Sequence, residues 1–282
     1  MFHYGFHCVA YLDILGQRRK LLQLAPTPTK DEETTRLLRE TAGNVIRLRQ
    51  RLAGCFEGFG APTIYLDKLP QDARQRILNA RQSLRSRNVG DAIIMDVSFQ
   101  GDEDQCASMI GVYGCIASCC ILHLIGLSSK SPIRGGIDIG LGLDIGKSGD
   151  PEVYGPVLGN AYTLENKMAE YPRILVSNGL IEYLESVSRL SQTTPLGRLA
   201  TSLAGDCKRF ITVDTDGKPM LDFLGETMAR LYTAEERQNL FAGIDESITE
   251  QKRMAGSEND SKLLGRYDRL AAYVDRRLEL WK

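Results

Sequence analysis

Asp13 and Asp91 are the residues of this chain whose surroundings best suit chemistry. In CVAYLDILG, Cys8 to Gly16, five of the six residues from Val9 to Ile14 are apolar or aromatic, and the sixth is Asp13. Strands that read as continuous apolar runs are usually buried on both faces. A carboxylate at the end of one costs several kcal/mol unless its charge is compensated. In NVGDAIIM, Asp91 follows Gly90 and precedes three apolar residues, which puts it at the turn of a buried hairpin. Two carboxylates at the ends of neighbouring core strands repel unless a cation lies between them. Hard divalent ions such as Mg²⁺ favour one or two carboxylates together with substrate phosphates. A pair of such ions stabilises both the attacking and the leaving oxygen in phosphoryl chemistry. Gly16, just after this strand, lets backbone amides approach a triphosphate. The plainer alternative is that each aspartate caps a turn.

The elements that must hold these carboxylates can be read along the chain. A first strand over about residues 6–13 runs through Ile14-Leu15-Gly16 into a short basic helix. PTPTKDEE opens a further helix with Thr29 as N-cap, and Leu38, Val45, Leu48 and Leu52 fall on its apolar face. The turn region GFGAPTIYLDKLP leads to another helix over about residues 71–84. SLRSRNVGDAIIMDVSF reads as a β-hairpin turning near residues 88–91. An apolar helix follows over about residues 104–127, then a strand, PIRGGIDIGLGLDIG, a loop, a helix beginning near Gly159, and a strand, RILVS. This order implies an α+β domain with an antiparallel sheet backed by helices. It spans about residues 1–178 and carries a helical insertion over about residues 25–84. A mostly helical C-terminal region, about residues 179–282, contains one hairpin whose turn is TDGK and a loop, GSENDS.

Composition excludes several classes of function. The chain has 282 residues with 43% hydrophobic and 25% charged, and a formal net charge of -1. No basic stripe marks a nucleic-acid partner. The N-terminus shows no charged region followed by a long apolar run, so no signal peptide is expected. IGVYGCIASCCILHLIGL reaches transmembrane length, but its His, Gly, Ser and Cys residues suit a buried core helix better. The expectation is therefore a cytoplasmic protein with no membrane partner. The seven cysteines form no CxxC pair and read as small apolar core residues in a reducing compartment. His3, His7 and His123 show no partner pattern.

Taken together, YLDILG, the hairpin NVGDAIIM, RGGIDIG and VYGPVLGNAYTLENK resemble the class III nucleotidyl cyclase catalytic domain. GPVLGNAYTLENKMAEYPRILVS is more similar to the pyrimidine cyclases of bacterial antiphage (Pycsar) systems. The resemblance covers about residues 9–177. It implies that Asp13 and Asp91 bind two Mg²⁺ or Mn²⁺ ions and that the Ile14 carbonyl completes one ion's shell. Purine cyclases read the base four residues before the hairpin aspartate. Arg87 stands there, a fork of donors that suits the carbonyl oxygens of uracil or cytosine, or else a solvated hairpin arginine. On one extended strand, four residues would separate Arg87 from Asp91 by about 13 Å, with both side chains on one face.

The same resemblance implies an asparagine and, four residues on, an arginine that steadies the transition state. Asn160 matches the asparagine, or is a helix N-cap, but Leu164 stands where the arginine belongs. Lys167 or Arg173 is left to supply the positive charge, while Arg134 is expected in a structural ion pair. The implied activity is conversion of UTP to 3′,5′-cyclic UMP by a homodimer with shared active sites. The product would then activate a separate antiviral effector. The alternatives are a cytidylate cyclase acting on CTP and a catalytically silent nucleotide-binding homologue.

Overall fold

The computed structural model of the protein describes residues 3–17, 21, 31–60, 70–99, 105–146, 152–190 and 193–282. Most of the basic segment after Gly16, Thr29, and most of the stretch joining the two inserted helices lie outside these residues. In chain order the elements are β1 (His3–Ile14), α1 (Glu32–Gly60), α2 (Gln71–Gln82), β2 (Arg85–Val89), β3 (Ala92–Phe99) and α3 (Cys106–Ser128). Next come β4 (Ile133–Asp144), β5 (Val153–Tyr154) and α4 (Pro156–Thr163), which runs into a π-helical turn (Leu164–Met168), and then β6 (Ile174–Val176). The C-terminal region supplies α5 (Asn178–Ser188), α6 (Pro195–Arg209), β7 (Ile211–Val213), β8 (Pro219–Leu221), α7 (Glu226–Ala229), α8 (Ala234–Ser257), α9 (Ser261–Asp275) and α10 (Leu278–Trp281).

The fold is α+β. One eight-stranded sheet has the order β2-β3-β1-β4-β6-β8-β7, with β5 paired to β4. Every pairing is antiparallel except β4 with β6. The C-terminal hairpin joins this same sheet, because β8 pairs with β6.

Period-two alternation sorts the strands into two faces. Cys8, Ala10, Leu12 and Ile14 of β1 point into the main core with Ile93, Met95 and Val97 of β3 and Ile133 and Ile137 of β4. That core closes on α3, which is buried along most of its length. This explains its membrane-like composition, since 78% of its most apolar window is buried within the fold. The other face carries Val9 and Tyr11 of β1 and Ile94 of β3, covered in part by Val157 and Ala161 of α4. Asp13, two residues beyond Tyr11, belongs to this second face.

Two expectations about helices are corrected. In α1, Leu48 and Leu52 are buried as expected, but Leu37 is the buried residue near the start and Leu38 is 47% exposed. The buried stripe runs through Thr41 and Asn44, and the Thr41 hydroxyl is satisfied by donating to the Leu37 carbonyl at 2.9 Å. Further on, α4 begins at Pro156 rather than near Gly159, with Gly155 preceding it at φ +134°. Proline at the first helical position costs no hydrogen bond. Asn160 therefore lies inside α4 and is not its N-cap.

Candidate active site

The site forms where the end of β1 meets the β2–β3 turn. Asp13 pairs in register with Ala92 on one side and with Arg134 on the other. Asp91 immediately precedes Ala92, in a turn for which Gly90 supplies φ +61°. That left-handed conformation favours glycine. The two predicted carboxylates are thus brought to adjacent strand ends. No protein hydrogen bond or ion pair reaches either carboxylate among the described residues. Burial, then the charge of Asp91, then that of Glu165, push the Asp13 carboxyl up to about 6, against the opposing pull of Arg134. The Tyr11 hydroxyl beside them is raised to about 12 by burial and then by Asp13.

Among the described residues Arg134 is the cation that acts on Asp13, and it is already engaged. Its Nη2 lies 2.5 Å from Glu165 Oε1, and its Nε donates to the same oxygen at 2.6 Å. The expected structural ion pair is present. Glu165 is buried in the π-helical turn. The turn can press against the sheet because β4 has glycine there: a Cβ on Gly136 would lie 2.4 Å from the Ala161 carbonyl oxygen and 2.4 Å from Leu164 Cβ. Glu165 was not anticipated as part of the site. The signal was the LEN that begins the turn, opposite the RGG of β4.

The remaining candidates divide. Ile14 is buried at the end of β1, and Gly16 follows in the turn with φ +88°. Lys167 is exposed and lines a cavity of about 490 Å³ together with Arg134. Arg173, the other candidate for the missing positive charge, is wholly buried. It donates to Asp214 at 2.6 Å and to Asp216 at 2.7 Å, so it cannot serve the site. Asn160 lies elsewhere. Its amide donates to Asp138 at 3.0 Å, and both residues line a separate cavity of about 400 Å³. Asp138 stands four residues along β4 from Arg134, roughly 13 Å away. Asn160 is not brought to Asp13 within one chain.

Arg87 requires a correction of geometry. It is not on one strand with Asp91, because β2 ends at Val89 and Asp91 lies across the turn. Arg87 pairs in register with Ile94, which in turn faces Tyr11. It therefore shares the face of Asp13, two strand spacings over and two residues along, about 10–12 Å away. Its guanidinium lies 2.6 Å from Glu152.

Other titratable groups read as structural. Six of the seven cysteines are buried and all are free. His7 is buried 3.6 Å from Asp96, and His123 is wholly buried, its imidazole lowered to about 3 by burial. Among the described residues no group of three or more His, Cys, Asp and Glu side chains could hold a metal ion. The donor set at the site is the carboxylate pair.

No family model and no curated protein matches the chain. Solved structures of similar topology include the adenylyl cyclase CyaB from P. aeruginosa, at 15% identity and TM-score 0.42, covering 66% of this chain and 84% of that one. The monomeric guanylyl cyclase domain of the RhoGC fusion protein from the aquatic fungus Blastocladiella emersonii aligns at 14% identity and TM-score 0.41, covering 78% and 95%. A class III adenylyl cyclase-like ATP-binding protein from Pseudomonas aeruginosa aligns at 14% identity and TM-score 0.40, covering 73% and 41%. At these scores the likenesses assign no activity, and the functional reading rests on the side chains.

Proposed function

We propose that the protein is a nucleotide cyclase that converts UTP to 3′,5′-cyclic UMP and pyrophosphate. One observation carries this reading: Asp13 and Asp91 stand at adjacent strand ends without a hydrogen-bond or ion-pair partner among the described residues, and their repulsion helps to raise the Asp13 carboxyl to about 6. A pair held in that state suits a hard dication. Asp13, Asp91 and the Ile14 carbonyl would hold two Mg²⁺ or Mn²⁺ ions. When bound, such ions neutralise the polyphosphate and favour ionisation of the attacking 3′ hydroxyl. The chain's own part is to keep both carboxylates at one edge of the sheet, with Gly16 giving the backbone room beside them.

Asn160 supports a homodimer with shared sites. It lies too far from Asp13 to act in its own chain, so a second copy would have to present it. A pyrimidine rather than a purine substrate, UTP with CTP as the alternative, and a role in antiphage signalling through a separate effector rest on the resemblance of residues 155–177 to the pyrimidine cyclases. Arg87 remains the candidate base reader, provided that it can exchange Glu152 for the base.

A catalytically silent nucleotide-binding protein is the second reading. The observation favouring it is that Leu164 occupies the arginine position while Arg173 is locked in the core. Incubation of the pure protein with each of the four NTPs and Mn²⁺ decides between them. Cyclic UMP formed by the wild type and not by Asp13→Ala supports the cyclase. Binding of UTP without any cyclic product would leave the silent reading.

A further inference from the structure

A cavity of about 490 Å³ opens between the π-helical turn and α9. Five cations line it, Arg134, Lys167, Lys262, Arg266 and Arg269, against one carboxylate, Glu170. The other lining residues are Asn166, Ser261 and Gly265, so no apolar side chain faces the space. That lining cannot bind a nucleobase by burial, but it suits a chain of phosphates.

The cations are not equally free. Arg269 is paired with Glu170, and Arg134 with Glu165. Lys167, Lys262 and Arg266 have no hydrogen bond or ion pair among the described residues. The α9 terminus is not what makes the cavity positive, because Asp260 caps it by accepting from the Leu263 amide at 2.9 Å. Three uncompensated cations facing one concave space repel one another and await an anion.

Arg134 connects this cavity to the carboxylate pair. It lines the cavity, and on the sheet it is the register partner of Asp13. We propose that the cavity holds the phosphate tail of the nucleoside triphosphate, with Lys167, Lys262 and Arg266 as its ligands. This rests on reading Asp13 and Asp91 as the metal site. The C-terminal region then completes the substrate site in cis, and Lys262 and Arg266 supply positive charge that Leu164 and the buried Arg173 do not. A phosphate chain has two sources, the substrate's own tail or free polyphosphate, and they share this chemistry.

Calorimetric titration of the full chain with tripolyphosphate, without divalent metal, tests the proposal. The wild type should bind with an affinity that falls steeply with salt. Lys262→Ala and Arg266→Ala should each weaken binding about tenfold. Both residues lie outside the buried core of α9, and circular dichroism checks that the variants fold. Equal affinity in wild type and variants would overturn the site. Titrating UTP into protein saturated with tripolyphosphate separates the two sources. Competition supports the substrate tail; UTP binding at undiminished affinity overturns that assignment. Asp13→Ala should still bind tripolyphosphate. A chain that binds it but forms no cyclic product from any NTP would refute the cyclase reading alone, whereas active protein whose Lys262 and Arg266 variants bind normally would refute the cavity alone.

Discussion

Two charged clusters flank the start of β4, where Arg134 pairs in register with Asp13 and the Gly135 amide donates to the Arg173 carbonyl, and they are built in opposite ways. Around Arg173 every charge has a partner. The guanidinium donates to Asp214, to both oxygens of Asp216 and to the Met168 carbonyl, and it stacks 4.6 Å over the Tyr171 ring. The Tyr171 hydroxyl donates to Asp214 at 2.5 Å. Hydrogen bonds from Arg173 hold the Asp216 carboxyl well below its usual range. Asp214 is also lowered, because the hydrogen bond from Tyr171 and its other partners outweigh burial. Around Asp13 the balance is reversed. Burial and Asp91 raise its carboxyl to about 6, and the nearby Arg134 guanidinium is committed to Glu165. A network whose charges are all paired is cement, even though the buried Arg173 Nε finds no hydrogen-bond partner among the described residues. A cluster left one cation short is a site, because only an added ligand relieves it.

The contrast is sharpest if one residue from each cluster is removed. Asp91→Ala should abolish cyclic nucleotide formation, seen as no product by chromatography, while leaving the unfolding midpoint unchanged or slightly raised. Removing one of two repelling carboxylates relieves strain in the absence of metal. Wild-type turnover in this variant would break the metal assignment. Arg173→Leu should do the reverse at the level of the fold. Asp214 keeps Tyr171 and Arg276, and Asp216 keeps Lys218, so the loss should lie near the lower end of the cost of breaking a buried pair, about 3 kcal/mol. Urea denaturation measures this loss, and a midpoint within error of the wild type would show that the network is not cement.

The two clusters also predict opposite pH dependence. Asp13 is raised, so between about pH 4 and 6 the folded chain holds a proton that the unfolded chain has released. Its contribution is complete below pH 4 and is lost as pH rises through 6. The partly exposed setting screens this effect, so about 1 kcal/mol is expected. Asp214 and Asp216 are lowered, so their contribution is present above pH 4 and is lost as the solution is acidified below that. Unfolding free energies of the wild type, Asp13→Asn and Asp216→Asn at acid pH well below 4, at pH 4 and at pH 7 compare the slopes, the upper interval reading Asp13 and the lower one Asp216. Asp13→Asn should gain on the wild type at pH 7, and Asp216→Asn should lose on it there. Mn²⁺ should erase the advantage of Asp13→Asn by stabilising the wild type through binding. Parallel slopes in the three proteins would remove the distinction between the clusters.

Much of this arrangement was legible in the sequence because strand ends and turns announce themselves. The apolar run before Asp13 and the Gly90-Asp91 turn placed each carboxylate at a strand end, and the β1–β3 register brings the two together. The TDGK turn marked the β7–β8 hairpin, with Gly217 at φ +76°. What was not legible depends on contacts between distant segments. Arg173 could be counted as a free cation until Asp214 and Asp216, some forty residues later, were seen to enclose it. Leu38 looked as apolar as Leu37, and the phase of α1 was hidden because its buried stripe includes Thr41 and Asn44. The basic cavity needed the packing of α9 against the π-helical turn, which no local pattern specifies, and the LEN of that turn gained meaning only once it faced the RGG of β4.

The smallest effect concerns Arg87, at the edge of the sheet and between the two kinds of cluster. Its ion pair with Glu152 joins side chains that are 34% and 45% exposed. Surface pairs of this kind contribute at most about 1 kcal/mol, so Arg87→Ala should shift the unfolding midpoint very little. As a structural residue it would therefore be nearly silent. As a base reader it would not be, because a donor fork that hydrogen-bonds a carbonyl rejects bases lacking one far more strongly than shape does. The register puts Arg87 on the face of Asp13 at about 10–12 Å. That separation leaves room for a nucleotide whose phosphates lie near the carboxylates and whose base lies near the sheet edge. Arg87→Ala should thus keep its stability and metal binding while its preference for UTP over ATP, whose base has no carbonyl, falls severalfold in competition assays. Glu152→Gln, which removes the Glu152 ion pair, should retain or raise that preference. If both variants choose among the four NTPs as the wild type does, Arg87 belongs with the cement.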